Sequence, residues 1–132
     1  MNFKAASETT AVMTGTYRKT MNTITVPAAV VIGGKSLKVV TVNSKAFAGC
    51  KSAAKIIIGK NVKTIGSSAF SYDSKVKTVV FKGMVLQKIS DGAFKTLGSG
   101  CRFWMPKSKY STYVKLLQKS GVPAGSRFAK LN

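Results

Sequence analysis

The chain has 132 residues, of which 22 are lysine or arginine, three are acidic (Glu8, Asp73 and Asp91) and none is histidine, for a formal charge of +19. With 45% hydrophobic residues and a mean hydropathy of +0.10, it is too apolar for a disordered basic tail, and its length suits one folded domain. The absent histidines, scattered carboxylates and two lone cysteines argue against a paired acid–base centre, a zinc site or a calcium site, so no catalytic, metal or cofactor residue is assigned and no enzyme is expected.

Residues 1–16 read as an N-terminal extension. Their opening, Met1-Asn2-Phe3-Lys4-Ala5-Ala6-Ser7-Glu8, has no long apolar core and is not an intact signal peptide. No run in the chain approaches the roughly 18 apolar residues that span a bilayer. Residues 17–42 read as a cap leading into the first repeat. Thr23-Ile24-Thr25-Val26-Pro27 and Ser36-Leu37 onward flank a Gly33-Gly34 turn, and Val30-Val31-Ile32 is expected to pair with 37–42 as a β-hairpin.

Residues 39–106 hold a repeat. Val42, Ile65 and Ile89 are each followed by three small or polar residues and then Ala-Phe, at Ala46-Phe47, Ala69-Phe70 and Ala93-Phe94. Three residues before each aliphatic stands another, Val39, Val62 or Leu86. A second track keeps the same period: Ile56-Ile57-Ile58, Val79-Val80-Phe81 and Phe103-Trp104-Met105. One such turn cannot bury its own apolar edge, so turns must stack and share a core. The spacing predicts a solenoid whose three-residue runs are strands and whose Phe47, Phe70 and Phe94 form an aromatic spine. The polar triplets predict tight turns.

Beyond the repeat, Tyr110, Tyr113, Val114 and Leu117 have helical spacing. A capping helix is expected near 108–120, within a segment 107–123, with Ser108 as N-cap, Gly121 just past its end and Pro123 as a stop. Residues 124–132 read as a tail.

The Ile65-Gly66-x-x-Ala69-Phe70 signature, the period and the segment Ala46-Phe47-Ala48-Gly49-Cys50 resemble BspA-type leucine-rich repeats. The hairpin upstream resembles that family's N-terminal cap. Met105-Pro106-Lys107-Ser108-Lys109-Tyr110 and the helix behind it resemble its C-terminal cap, so the resemblance covers residues 17–123. It implies a leucine-rich-repeat solenoid, mainly β, of about three turns between a β-hairpin cap and an α-helical cap. It also implies an exported or cell-surface protein of bacteria and some protozoa, with a role in adhesion or partner binding. Val42-Asn43 departs from Ile-Gly in the first repeat, and Asp73 and Leu97 stand where Cys50 has its counterparts. In that stacking Cys50 and Cys101 lie two rungs apart, roughly 10 Å, beyond the approximately 7 Å reach of a disulfide. Two free thiols are expected, Cys50 packed as a small hydrophobe.

Two motifs have duller explanations. Gly33-Gly34-Lys35-Ser36 ends like a phosphate-binding loop, but Ala29 stands where its first glycine belongs and a strand follows where a helix is needed. Ser52-x-x-Lys55 and Ser74-x-x-Lys77 have the serine–lysine spacing of penicillin-recognising enzymes without the accompanying Ser-Asp-Asn and Lys-Thr-Gly motifs.

The charge attracts any polyanion, with strong salt dependence. Lysine far outnumbers arginine, whereas base readers favour arginine, so nucleic acid is expected to bind without specificity. The sharper candidate is the sheet face. If Ile56, Val79 and Phe103 point inward, Ile57, Val80 and Trp104 form an outward column. Lys55, Thr78 and Arg102 flank it on one side, with Gly59, Lys82 and Pro106 on the other. The candidate interaction face is therefore Ile57, Val80, Trp104, Lys55, Lys82 and Arg102, unless another segment covers it. The expected function is a non-catalytic module that binds a host or cell-wall protein or an anionic glycan through this face. The alternative is a nucleic-acid or polyanion binder, cytosolic or secreted, acting through diffuse lysine charge.

Overall fold

Short β-branched runs with alternating burial make strands, and here they recur at the repeat period. A computed structural model describes residues 1–16 and 19–131, so the cap boundary expected at residue 17 lies outside the described residues. In chain order the elements are β1 (Asn2–Ala5), β2 (Thr10–Gly15), β3 (Thr23–Val26), β4 (Ala29–Ile32), β5 (Lys35–Val42) and β6 (Lys55–Ile58). There follow β7 (Thr64–Ile65), β8 (Thr78–Phe81), β9 (Lys88–Ile89), β10 (Arg102–Pro106), α1 (Tyr110–Ser120) and β11 (Arg127–Leu131). The described chain is thus mainly strand, with one α-helix near its C-terminus.

The strands form two sheets. One runs β11-β10-β8-β6-β3, parallel throughout, with Ile56 opposite Val79 and Val79 opposite Phe103. The other runs β1-β2-β5-β7-β9, with Val42 opposite Ile65 and Ile65 opposite Ile89. The expected hairpin forms, β4 antiparallel to β5 across the Gly33-Gly34 turn, but β4 pairs with 35–38, Ile32 opposite Lys35, and not with 37–42. Each repeat therefore contributes one strand to each sheet. The sequence reading located the first ladder but not the second, because a two-residue strand such as β7 has too few positions to show alternation.

Between the sheets lies the core. Ile56, Ile58, Val79, Phe81, Phe103 and Met105 enter it from one side, and Val39, Val42, Val62, Ile65, Leu86 and Ile89 from the other. The Ala-Phe pairs close the end, with Phe47, Phe70 and Phe94 fully buried. Their rings stack almost parallel, 5.3 Å and 5.1 Å between centroids. The turns bearing them also bond to one another: Phe47 N–H donates to Ala69 O at 2.8 Å and Phe70 N–H to Ala93 O at 3.1 Å. Within each turn the second alanine-side bond is local, as in Ala69 N–H to Gly66 O. That tight turn holds its residue before alanine in the left-handed region, at Lys45 (φ 60°), Ser68 (φ 55°) and Gly92 (φ 74°). The three are repeat equivalents, and only the last has the residue that adopts this conformation without strain.

Several expectations are corrected at the ends. Residues 1–16 are not a mere extension: β1 and β2 form a hairpin, β2 lies parallel to β5, and Ala11 and Met13 are fully buried. Residues 124–132 are not a mere tail, since β11 adds a parallel strand to β10 and Phe128 stacks on Phe103 at 5.9 Å. Thr23–Val26 is not simply part of a cap but the edge strand beside β6. Ser108 does not cap the helix. It sits in a 3₁₀ turn, Lys107–Lys109, with its hydroxyl on Met84 Sδ at 3.3 Å, and α1 begins after Lys109 without a side-chain cap. Packing holds this helix: Tyr113 and Leu117 are fully buried, and Tyr113 Oη donates to Gly83 O at 2.8 Å. Gly121 ends it as expected, returning its N–H to Leu117 O.

Two glycines separate conformational from steric demands. A methyl at Gly92 would meet nothing closer than 3.7 Å, whereas one at Gly59 would lie 2.5 Å from Val26 O. Gly92→Ala is expected to cost about 1 kcal/mol through backbone strain alone, and Gly59→Ala about 2–3 kcal/mol through overpacking. Urea unfolding of both variants checks the order.

Candidate interaction surface

Alternation along β6, β8 and β10 puts every second residue outside. Ile57, Val80 and Trp104 stand opposite one another in register and are half-buried, with Thr25 of β3 and Ala129 of β11 completing the row. The structure thus brings the expected column together and lengthens it by one residue at each end. Lys55, Thr78, Arg102 and Arg127 form the row on one side. The guanidinium of Arg102 lies over the Trp104 ring, 5.7 Å from its centroid, which shields one face of the indole.

Lys82 stands just past the end of β8, between two hollows. One, of about 440 Å³, is lined by Pro27, Ile57, Gly59, Lys60 and Lys82 among others. The second, of about 580 Å³, is lined by Lys82, Met84, Pro106, Lys107, Ser108 and Leu131. Gly59, closely packed on Pro27, gives the first hollow a bare backbone floor. Lys60, Met84, Lys107 and Leu131 were missed from sequence. Lys60 and Lys107 lie in equivalent corners after β6 and β10, two strands apart, where the repeat period carries them but strand alternation does not.

None of the three acids lines either hollow. Glu8 and Asp91 are exposed elsewhere, in the β1–β2 turn and beyond β9. Asp73 is fully buried. Standing one repeat after Cys50, its Oδ1 accepts the Cys50 N–H at 2.7 Å, so the carboxyl ties one turn to the previous one. Its Oδ2 has no hydrogen-bond partner. Burial pushes the Asp73 carboxyl up to about 8, against the lowering effect of the Cys50 N–H, the nearby Lys19 ammonium and the Gly49 N–H. Cys50 and Cys101 are both free and buried, as expected. Burial pushes their thiols up to about 11 and about 12. Such thiols are inert packing groups, not nucleophiles. Among the described residues no three His, Cys, Asp or Glu side chains converge, and no helix is long and apolar enough to cross a membrane.

The repeat that builds this surface also decides the family. The model for the BspA type leucine rich repeat region (6 copies) matches residues 18–111. The chain belongs to the BspA-type leucine-rich repeat family. No curated protein and no solved structure matches it. Within this BspA-type chain the matched span takes in all of β3 to β10 and stops at the start of α1. The flanking hairpin β1–β2 and the final strand β11 lie outside it.

Asp73 has a measurable signature. Because its folded pKa lies above the unfolded value of about 4, the native state holds a proton that the unfolded chain has lost. Its contribution to stability is complete below about pH 4 and is lost as pH rises towards 8. Asp73→Asn keeps an acceptor for Cys50 and is expected to flatten that decline, as read from urea midpoints across the window. In the native protein, a thiol reagent at pH 8 is expected to label neither cysteine rapidly, and to label both in denaturant.

Proposed function

We propose that this BspA-type chain is a short repeat solenoid and a single domain that acts as a non-catalytic binding module of an exported or cell-surface bacterial protein. Its sheet face engages a host or cell-wall protein or an anionic glycan in adhesion. The observation that carries this reading is the half-exposed row of Ile57, Val80 and Trp104, edged by Lys55, Arg102 and Lys82. Apolar side chains set in register within a cationic frame supply a desolvated contact and an attractive field together. Family membership supports an interaction role over catalysis, and it alone points to the cell exterior.

A second reading, non-specific binding of nucleic acid or another polyanion, is favoured by the charge of +19. The two differ in their response to salt. Contacts made by the sheet face are expected to survive about 0.5 M salt, where the Debye length is only a few ångströms, while diffuse attraction collapses. A panel of wall polymers, host matrix proteins, glycans and DNA at two ionic strengths makes the comparison. Trp104→Ala and Ile57→Ser should each weaken the salt-resistant partner about tenfold, equivalent to roughly 1.4 kcal/mol. If neither substitution alters any salt-resistant interaction, the sheet face is not the site.

A further inference from the structure

The two hollows beside Lys82 specify the partner further than the column does. By extension of the β6–β8–β10 register, Lys60 and Lys107 occupy equivalent corners two strands apart, and Lys82 stands just past the end of the strand between them, one position earlier. Parallel strands are spaced about 4.8 Å apart, so this basic strip spans roughly 10 Å. Three or four residues of extended polypeptide cover that distance. The strip is not purely ionic. Pro27 and Ile57 line the hollow on one side of Lys82, with Met84, Pro106 and Leu131 on the other. Met84, 58% exposed, sets a flexible apolar side chain at the mouth of the second hollow.

A sulfated or phosphorylated polymer would satisfy the lysines and leave these apolar walls wet. A neutral sugar is best held by stacking on an aromatic face, and neither hollow is lined by a Trp, Tyr or Phe. A second copy of this chain brings another +19 and only two exposed carboxyls, Glu8 and Asp91, which sit singly in different parts of the fold and cannot meet three clustered lysines. Acidic and apolar side chains interspersed on one extended peptide satisfy both demands. We propose that the carboxyl-terminal ends of β6, β8 and β10 bind an extended acidic–apolar peptide segment of a partner protein. Its carboxylates meet Lys60, Lys82 and Lys107, and its apolar side chains fill the hollows on either side of Lys82. This rests on the sheet-face reading and narrows it to one edge and one class of partner.

The test is fluorescence anisotropy with labelled decapeptides of alternating glutamate and valine, or of alternating glutamate and serine, beside heparin and a DNA duplex, all at about 0.15 M and 0.5 M salt. The glutamate–valine peptide should bind at least about tenfold more tightly than the glutamate–serine peptide at the higher salt. Lys82→Ala should weaken it about fivefold or more, and Lys4→Ala, on β1, should not. Met84→Ser should weaken the valine peptide and leave the serine peptide unchanged. Equal binding of the two peptides, equal losses from Lys82→Ala and Lys4→Ala, or no binding of the valine peptide up to about 1 mM overturns the proposal. Salt-resistant heparin or DNA binding that depends on Lys82 overturns it too. If Trp104→Ala weakens a salt-resistant partner that Lys82→Ala and Met84→Ser leave alone, the groove is wrong and the sheet face stands. If none of the three matters to any such partner, both readings fall.

Discussion

The whole structure depends on one constraint, that each repeat must lie in register on its neighbour. Phe47, Phe70 and Phe94 show why. Each ring covers the next at just over 5 Å, and the backbone of each turn donates to the turn beside it. Stacked aromatic pairs contribute about 0.5–1.5 kcal/mol beyond the area they bury. A slip by one residue would lose those contacts and also turn both strand ladders inside out. The left-handed turn before each Ala-Phe pair follows from the same demand. The chain must reverse sharply there to return its phenylalanine to the spine, even when the residue at that position is Lys45 or Ser68.

The register that fixes the core also arranges the surface. Since Ile56, Val79 and Phe103 are aligned inside, Ile57, Val80 and Trp104 are aligned outside, and the cations beside them fall into rows. Lysine is thereby ordered by a backbone lattice. The chain's few acids do not relieve this. Asp73 is used inside, as a buried acceptor that ties its turn to Cys50, and the other two lie away from the hollows. The hollows beside Lys82 thus combine a field of one sign with an apolar floor.

Much of this was legible along the chain because periodic information is redundant. Three copies of the Ala-Phe motif and three copies of the apolar run each report the same spacing, and the outward column follows from it by alternation. The Gly33-Gly34 hairpin and the helix carrying Tyr113 and Leu117 were equally visible, each through a local pattern of its own. The buried role of Asp73 was not. At its position Cys50 and Leu97 give no hint that a carboxyl group could be wanted, and the need arises only from the backbone N–H of another turn.

By itself, then, the sequence determined the repeat, the core of the repeat, the absence of histidine and the scarcity of carboxyl groups. These depend on residue type and spacing, which the chain carries explicitly. Only the tertiary structure decided that β1, β2 and β11 extend the sheets, because a sheet edge recruits a strand through backbone hydrogen bonds that need little side-chain pattern. It also decided that Lys60, Lys82 and Lys107 share a strip with Met84 and Leu131. Residues that far apart in sequence become neighbours only when parallel strands set their corners side by side.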